Sequence, residues 1–453
     1  MFTKIRFRFE LYFYYLKKNL LYLFLGFGVG ITIFYFQKPL KTFFLRFNHP
    51  IQKIGIEGFY NATNLSQEIT QKISPGLTVI NQNGRTSPSA LVNKMEISSD
   101  HLRYTFYLNT SLLWHDGKKF SSADINYQIP GLNIAPASFD KVTITTDKAY
   151  APLESLLARS LFRKNFVGLG SYIVKDFRYQ DGHIRYLKLQ SNSDIIIYRF
   201  YQDQNDLLNA FKIGEVDQIQ ISFLPPDLES GWKVNLNQNI ASSESYSAIF
   251  LNTQKLSNKQ LRQSLAYATP KSANNNERCL SPISPSSWAY NPNVKEYSLN
   301  PVKAREFFEK NKIESIKLSV TDRDLLATAE NIKKSWQDIL KIKVDVKFEN
   351  QVDTDNYEAI LAYGSVPSDP DQYIFWHSTQ TKTNLTKINS PKIDKLLEEG
   401  RLTFDTLERK KIYQEFQKVL LEELPVIFLQ YPTIYTITRN QWNPTQIICL
   451  LFF

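Results

Sequence analysis

The stretch that decides the fold is Tyr104–Tyr127, with the sequence YTFYLNTSLLWHDGKKFSSADINY. It opens with alternating large apolar residues, a pattern typical of a half-buried strand, and the prediction is a strand over Leu102–Leu108. Trp114-His115-Asp116-Gly117 indicates a tight turn, because glycine tolerates unusual backbone angles and aspartate accepts hydrogen bonds from nearby N–H groups. A catalytic His115–Asp116 pair is the alternative interpretation. The stretch therefore favours a structural scaffold over a reaction centre.

Helix and strand patterns alternate on the C-terminal side of this stretch. Leu325–Leu340 carries apolar residues at helical spacing, and Ile342–Phe348 (IKVDVKF) alternates strictly as a half-buried strand does. Thr406–Glu423 is a second long helix pattern, followed by Pro425 and a strand pattern over Val426–Gln430. Further strands are predicted at Val142–Thr146, Arg185–Gln190, Ile195–Tyr201 and Ser315–Val320, and further helices at Lys259–Ala268 and Pro301–Lys310. Arg262 on the helix Lys259–Ala268 is expected to pair with a carboxylate across an element. The chain is predicted to be mixed α/β.

Composition excludes several classes of protein. The 453 residues are 43% hydrophobic and 22% charged, which argues against a disordered chain. Cys279 and Cys449 are the only cysteines, so no disulfide framework or structural zinc site is predicted. The five histidines show no spacing typical of metal ligands, and no metal or cofactor is predicted: His49, His101, His115, His183 and His377.

The formal net charge of +10 raises the question of a nucleic-acid partner. Most of this charge lies in residues 1–50, which carry a single acid, Glu10, against these bases: Lys4, Arg6, Arg8, Lys17, Lys18, Lys38, Lys41 and Arg46. A nucleic-acid-binding protein needs a basic surface on its folded part, because phosphate contacts supply most of the affinity. The remainder of the chain is only mildly basic, so no nucleic-acid partner is predicted.

The basic flanks enclose an apolar run at residues 20–36, LLYLFLGFGVGITIFYF. As a helix this run is roughly 25 Å long, near the lower limit for crossing a bilayer. No small-residue cleavage site follows it, and no cysteine suited to lipidation. We expect residues 20–36 to be an uncleaved single-pass signal anchor, with the basic and aromatic segment 1–19 in the cytoplasm and the rest outside the cytoplasmic membrane. A buried core helix is the alternative.

Several segments, in order, resemble the peptide/nickel-type extracellular solute-binding proteins of ABC importers. Tyr104–Tyr127 is similar to that family's strand, Trp-His-Asp-Gly turn and following acidic segment. Further segments that resemble the family are Pro88–Ile97, Ala149–Leu157 (AYAPLESLL), Val167–Phe177 (VGLGSYIVKDF), Phe211–Ile219 (FKIGEVDQI), Ile249–Ala268, Pro301–Phe307, Ser368–Phe375 and Asn384–Leu397. The resemblance spans residues 54–432.

The resemblance implies a two-lobed α/β periplasmic-binding-protein-like fold with an extra subdomain on lobe one. Applied to this chain, lobe one takes residues 51–85, 166–246 and 425–453, the subdomain takes 86–165, and lobe two takes 247–424. The family usually has a helix after the position of Tyr127, whereas Pro130 and Gly131 interrupt the chain here, so the subdomain is expected to be shortened.

The resemblance also implies a ligand site between the lobes. Peptide binders of this family carry an aspartate three residues before an Asp-Pro pair, where it binds the α-amine of the peptide. The pair here is Asp369-Pro370 and the matching residue is Val366, so this amine contact is missing. Aromatic and polar residues near the expected lobe crossings and the Asp-Pro loop are the predicted ligand contacts: Tyr246, Asn252, Trp288, Tyr363, Asp369 and Trp376.

These observations predict a membrane-anchored solute-binding protein, not an enzyme. It would capture a peptide or similar small solute and deliver it to an ABC permease. The sequence lacks the nucleophile elbow, zinc-protease helix, P-loop and complete dinucleotide fingerprint; Gly168 and Gly170 supply only Gly-x-Gly. Two alternatives stay open: a two-lobed ectodomain for sensing or adhesion without transport, and an anchored hydrolase.

Overall fold

The computed structural model describes residues 17–20, 26, 50–81, 84–222, 224–226, 228, 234–240, 244–272, 277–349, 351–353 and 356–439. The predicted cytoplasmic segment 1–19 and the predicted anchor 20–36 lie almost wholly outside these residues. Within the described ranges, every helix is too short or too polar to span a bilayer.

The described residues form eighteen strands and nine α-helices. The strands are β1 (Ile51–Glu57), β2 (Thr78–Ile80), β3 (Thr86–Pro88), β4 (Val92–Ile97), β5 (Arg103–Leu108), β6 (Leu132–Ser138), β7 (Lys141–Thr146), β8 (Ile173–Gln180), β9 (His183–Gln190), β10 (Ile195–Tyr201), β11 (Gln218–Ile221), β12 (Val234–Ile240), β13 (Ser245–Leu251), β14 (Ser315–Val320), β15 (Lys343–Phe348), β16 (Ala359–Ser365), β17 (Val426–Gln430) and β18 (Thr433–Arg439). The helices are α1 (Gln67–Ile73), α2 (Leu153–Leu156), α3 (Gln204–Ile213), α4 (Lys259–Ala268), α5 (Pro301–Glu309), α6 (Leu326–Leu340), α7 (Tyr373–Trp376), α8 (Pro391–Leu402) and α9 (Thr406–Glu423).

The first lobe is built on a seven-stranded sheet in the order β12-β18-β11-β1-β10-β9-β8. Strand β10 buries every second residue, and Ile196, Tyr198 and Phe200 pack with α1 in one hydrophobic cluster. Helix α3 forms another cluster with β11 and β18. It begins at Asp203, whose side chain accepts two backbone N–H bonds, and ends at Gly214 with φ of +83°.

The subdomain is a four-stranded antiparallel sheet in the order β4-β5-β7-β6. Tyr104, Phe106 and Leu108 alternate into its core, as the opening sequence predicts. After the 3₁₀ turn Ser122–Asp124 the chain passes Gly131, at φ of +80°, directly into β6. No α-helix occurs between β5 and β7 in the described chain, in accord with the break predicted at Pro130 and Gly131.

The second lobe contains a five-stranded sheet in the order β15-β14-β16-β13-β17. Helices α4, α5 and α6 contribute to the cluster on one face, and α8 and α9 to the cluster on the other. Strand β13 lies between β16 and β17 and is buried along nearly all its length, as expected for a strand covered on both faces.

One predicted boundary requires correction. The last segment of lobe one is predicted to start at residue 425, but β17 pairs with β13 in the sheet of lobe two. The chain returns to lobe one only at β18, which pairs with β11 and β12. The sequence misled because β17 and β18 are separated by two residues and both have strand patterns.

Two short crossings join the lobes, one between β12 and β13 and the other between β17 and β18. Short paired crossings of this kind are the usual place for a hinge. Near the start of β13, the ring of Tyr246 packs against Gly364 on β16, where an added Cβ would come within 2.3 Å of the ring.

Candidate functional site

A cavity of about 1000 Å³ lies between the first lobe, the subdomain and lobe two. Its volume is at the upper end of the range usual for small-ligand sites. We call residues 126–128, 150, 152, 155–156 and 159–162 the subdomain wall, and residues 367–369, 371, 374 and 401 the lobe-two wall. Residues Ala62, Thr63, Leu65, Gln67, Thr70 and Ile80 complete the lining.

Asp369 on the lobe-two wall forms a bidentate ion pair with Arg409 of α9. Arg409 Nη2 lies 2.6 Å from Asp369 Oδ1, and Nη1 lies 2.9 Å from Oδ2. Only 7% of the arginine side chain and 12% of the aspartate side chain is exposed. Burial opposes the charge on Arg409, but the hydrogen bonds and charge of Asp369 outweigh burial and raise the pKa of the guanidinium above its ordinary value. The pair fixes the Asp-Pro loop to α9.

Asp371 forms a second ion pair, with Arg401 of α8. Arg401 Nε donates to both carboxylate oxygens, at 3.1 and 2.9 Å, and the guanidinium lies 3.7 Å from the centre of the Tyr373 ring. The hydroxyl of Tyr150 on the subdomain wall donates to Asp371 Oδ2 at 3.2 Å. Burial, helped by the charge of Asp371, raises the pKa of Tyr150, so the phenol is protonated and can donate at neutral pH.

Further contacts join the subdomain to lobe two beside this network. The Ala151 N–H donates to the carbonyl of Arg401 at 2.8 Å. The rings of His101 and Phe404 stack with centroids 3.7 Å apart and an interplanar angle of 10°. The structure therefore describes the lobes drawn together around the cavity.

Both carboxylates on the lobe-two wall have their acceptor sites filled. Asp369 also accepts from the backbone N–H of Asp371 at 2.9 Å and from the Ser155 hydroxyl at 3.5 Å. Asp371 also accepts from the N–H of Tyr373 at 3.1 Å. A carboxylate offers about four lone-pair sites, so neither aspartate retains a site directed at a ligand.

The six predicted ligand contacts occupy different positions. Asp369 lines the cavity. Trp288 is half-buried behind it, with the Arg409 guanidinium 5.6 Å from its ring centre. Tyr363 lies on β16 and donates to Asp324 at 2.7 Å. Tyr246, Asn252 and Trp376 are 2%, 3% and 1% exposed.

None of these three buried residues lines the cavity as the structure describes it. Tyr246 packs on Phe428 with ring centroids 5.1 Å apart, and Trp376 donates to the side chain of Gln372 at 3.0 Å. Asn252 donates to the carbonyl of Tyr357 and borders a separate cavity of about 230 Å³. These contacts give the three residues a structural role in lobe two, and ligand contact by them stays a prediction.

Sequence reasoning missed Tyr150, Arg159, Asp371 and Arg401, which all line the cavity. Tyr150 and Asp371 lie inside the family-like segments Ala149–Leu157 and Ser368–Phe375, which were the available signal. Arg159 and Arg401 are ordinary charged residues in the sequence, and only the fold places them at the cavity.

The Trp114–Gly117 turn is structural. Gly117 has φ of +81°, and the Lys118 N–H bonds to the side chain of Asp116 at 3.1 Å. His115 accepts from the Gly168 N–H through Nδ1 and bonds the Gly170 carbonyl through Nε2, at 3.2 and 2.9 Å. These glycines permit close contact with α1, since an added Cβ would lie 2.2 Å from the Ile73 carbonyl oxygen at Gly168 and 2.5 Å from that of Lys72 at Gly170.

A second expectation also needs correction. Arg262 of α4 is predicted to pair with a carboxylate across an element. The buried guanidinium instead donates to backbone carbonyls, those of Leu256, Ser257, Glu423 and Leu424. A helix C-terminus presents unpaired carbonyls, and α9 supplies them here. In the described part of the chain, no group of three or more His, Cys, Asp or Glu side chains is arranged to hold a metal ion.

A family model described as "Bacterial extracellular solute-binding proteins, family 5 Middle" matches residues 136–385, more than half of the chain. Among curated proteins, the oligopeptide-binding protein AppA of Bacillus subtilis (strain 168) is 22% identical over 62% of this chain and 59% of its own length. The dipeptide-binding protein of Escherichia coli (strain K12) is 20% identical over 78% of this chain and 82% of its own length. The chain thus spans less than two thirds of AppA.

The fold also matches solved structures. The crystal structure of NikZ from Campylobacter jejuni in complex with Ni(L-His) superposes with a TM-score of 0.72 at 21% identity, covering 86% of this chain and 94% of NikZ. The shared fold is the two-lobed α/β fold of periplasmic binding proteins. With the match of the family model, it shows that the chain belongs to family 5 of the bacterial extracellular solute-binding proteins, which bind their ligands and are not enzymes.

Proposed function

We propose that the chain is a membrane-anchored substrate-binding protein that captures a peptide or similar small solute outside the cytoplasmic membrane. The observation that carries this proposal is the cavity of about 1000 Å³ between two lobes that are joined at short crossings. The names of the relatives AppA and dipeptide-binding protein support a peptide as the ligand.

The interlobe contacts suggest how capture works. Tyr150 reaches Asp371, and the Ala151 N–H reaches the Arg401 carbonyl, only while the subdomain stays against lobe two. Opening at the hinge breaks these bonds and exposes the cavity. A ligand that contacts both walls favours the closed state, because it gains contacts there that the open state lacks.

Residues 20–36 would anchor this domain in the cytoplasmic membrane with residues 1–19 inside. In this arrangement the closed, loaded domain presents its solute to an ABC permease. The support is the uninterrupted apolar run between basic flanks and the family membership of the remaining chain. An anchor would keep the binding protein close to its permease and raise its effective concentration there.

Binding is tested by thermal melting of the purified full chain in detergent with pools of random tripeptides. We expect at least one pool to raise the melting temperature, since a ligand at about 100 times its Kd adds about 2.7 kcal/mol of stability. A Ser155→Trp variant fills the cavity from the subdomain wall and is expected to lose this response. Ser155→Ala is the control, because it removes the same bond to Asp369 without filling the cavity, and it is expected to keep the response. Failure of every pool and of native mass spectrometry to find any bound solute would contradict the proposal.

Membrane attachment is tested separately by cell fractionation and protease treatment of spheroplasts. The full chain is expected in the membrane fraction and to be digested from outside, and a variant that keeps a cleavable export signal but lacks residues 1–36 is expected to be released. A full chain protected from external protease would contradict the proposed orientation.

A further inference from the structure

The charges around the cavity do not balance. Asp369 and Asp371 are each paired with an arginine, Arg409 and Arg401, and their acceptor sites are filled. The described lining also carries Arg159, on the subdomain wall. Arg401 in the lining and Arg409 behind it neutralise the two aspartates, so the charge of Arg159 has no counter-charge among the described lining residues.

Arg159 is free to contact a ligand. Its side chain is exposed, and among the residues with described positions it makes no ion pair and no side-chain hydrogen bond. The backbone that carries it is fixed, because the Arg159 N–H donates to the Leu156 carbonyl at 3.3 Å and the Arg159 carbonyl lies against Gly76. The guanidinium is thus an available donor on a positioned backbone.

The next residue supplies a second, independent observation. Ser160 also lines the cavity, and its hydroxyl is buried without a hydrogen-bond partner among the residues that the structure describes. A buried hydroxyl without a partner costs free energy, and such groups are normally satisfied by protein, water or ligand. The hydroxyl exposes almost no surface, so it reaches an oxyanion held by the neighbouring Arg159 by rotating about the Cα–Cβ bond of Ser160.

Among the described lining residues, an ammonium group finds no comparable partner. Val366, at the position where the family resemblance implies an amine-binding aspartate, packs against the apolar cluster of lobe two. Asp369 and Asp371 are already neutralised. A buried ammonium without a counter-charge is costly.

We propose that the cavity selects small solutes that carry a carboxylate, which pairs with the Arg159 guanidinium and accepts from the Ser160 hydroxyl, and that it does not require a free α-amine. This inference rests on the proposed function, since it assumes that the cavity is the ligand site. It distinguishes this chain from a binding protein that recognises peptides first by their ammonium end.

Four tripeptide pools of matched composition test the inference: unmodified, N-acetylated, C-amidated, and blocked at both ends. Dissociation constants are measured with the full chain in detergent. The N-acetylated pool is expected to bind within about three-fold of the unmodified pool. The C-amidated pool is expected to bind roughly ten-fold or more weakly, as the loss of a charge-assisted hydrogen bond implies.

Substitutions of Arg159 test whether this residue causes the preference for a free carboxylate. Arg159→Gln is expected to bind the unmodified and amidated pools equally, and Arg159→Lys to keep part of the difference. Arg103→Gln is the matched control, because Arg103 is an exposed arginine of the same subdomain that does not line the cavity.

Loss of binding on acetylation, or an unchanged preference in Arg159→Gln, would overturn the inference. Binding confined to pools with a free amine would do so while leaving the proposed function intact. Absence of binding by all four pools would count against both.

Discussion

The polar and charged side chains on the two walls of the cavity differ in whether they have hydrogen-bond or ion-pair partners. On the lobe-two wall, Asp369 and Asp371 are held by Arg409 and Arg401, and each lone-pair site has a donor. On the subdomain wall, Arg159 and the Ser160 hydroxyl have no side-chain partner within the described structure. Charged residues on the first wall therefore stabilise the fold, whereas those on the second remain available to a ligand.

The difference shows that position in a cleft does not by itself make a charged residue a ligand contact. A buried ion pair that is broken on one side costs far more than an exposed charge that is removed. Substitutions on the two walls should therefore separate stability from binding.

The largest effect is expected for Arg409→Ala. The change leaves Asp369 buried without its counter-charge, and we expect the free energy of unfolding to fall by about 3–5 kcal/mol. Urea unfolding followed by tryptophan fluorescence measures it. Lys411→Ala is the control on the same helix: Lys411 is 70% exposed and forms a surface ion pair with Glu408, so the unfolding midpoint should not move. If the free energy of unfolding falls by less than about 1 kcal/mol in Arg409→Ala, the Asp369–Arg409 pair contributes no more than an ordinary surface ion pair, which would contradict this prediction.

A smaller loss is expected for Asp371→Asn. The amide keeps the shape but weakens the charge-assisted bonds from Arg401, so the free energy of unfolding should fall by about 1–3 kcal/mol. The loss of unfolding free energy should be smaller than in Arg409→Ala, because 23% of the Arg401 side chain is exposed and its guanidinium keeps the contact with the Tyr373 ring. Equal losses in the two variants under the same denaturation conditions would contradict this ranking.

Tyr150→Phe tests the contact between the walls. It removes one interlobe hydrogen bond, and we expect the closed state to lose about 1 kcal/mol. Energy transfer between dyes at the exposed positions Lys94 and Lys395 would report a larger open population. Tyr107→Phe is the control, since that hydroxyl bonds to Glu96 within the subdomain. Equal open populations in the two variants would show that this bond does not contribute to closure.

The smallest effect on stability is expected for Arg159→Gln. Its exposed side chain stabilises nothing within the described chain, so the free energy of unfolding should stay within about 0.5 kcal/mol of the parent. Calorimetric melting beside Arg103→Gln measures this. A loss of unfolding free energy comparable to that of Asp371→Asn would mean that charged residues on both walls stabilise the fold. That result would contradict the difference between the two walls.

The sequence predicted much of the fold because local patterns determine it. Ser315–Val320, Lys259–Ala268 and Thr406–Glu423 have the bounds expected from apolar spacing, turn residues and caps. The boundary at residue 425 was wrong, because a strand pattern does not reveal which sheet the strand joins. The expected carboxylate partner of Arg262 was also wrong, because the carbonyls at the end of α9 are far away in sequence.

The candidate site was predicted only in part, for a similar reason. The Asp-Pro loop pointed to Asp369, which lines the cavity, and its contact with a ligand stays a prediction. Tyr150 and Asp371 meet across 221 residues of sequence, which no local pattern encodes. Tyr246 and Trp376 have the composition of ligand-contacting aromatics, yet such residues are just as suited to a core. Burial depends on the whole fold, and ligand contact by these two residues stays a prediction.

Hydrogen exchange of the full chain with and without a bound tripeptide pool tests the central claim most directly. Capture between the walls predicts slower exchange in two separated segments at once, 150–162 of the subdomain and 367–374 of lobe two. Binding accompanied by protection of one segment only, or of neither, would contradict a ligand site between the lobes.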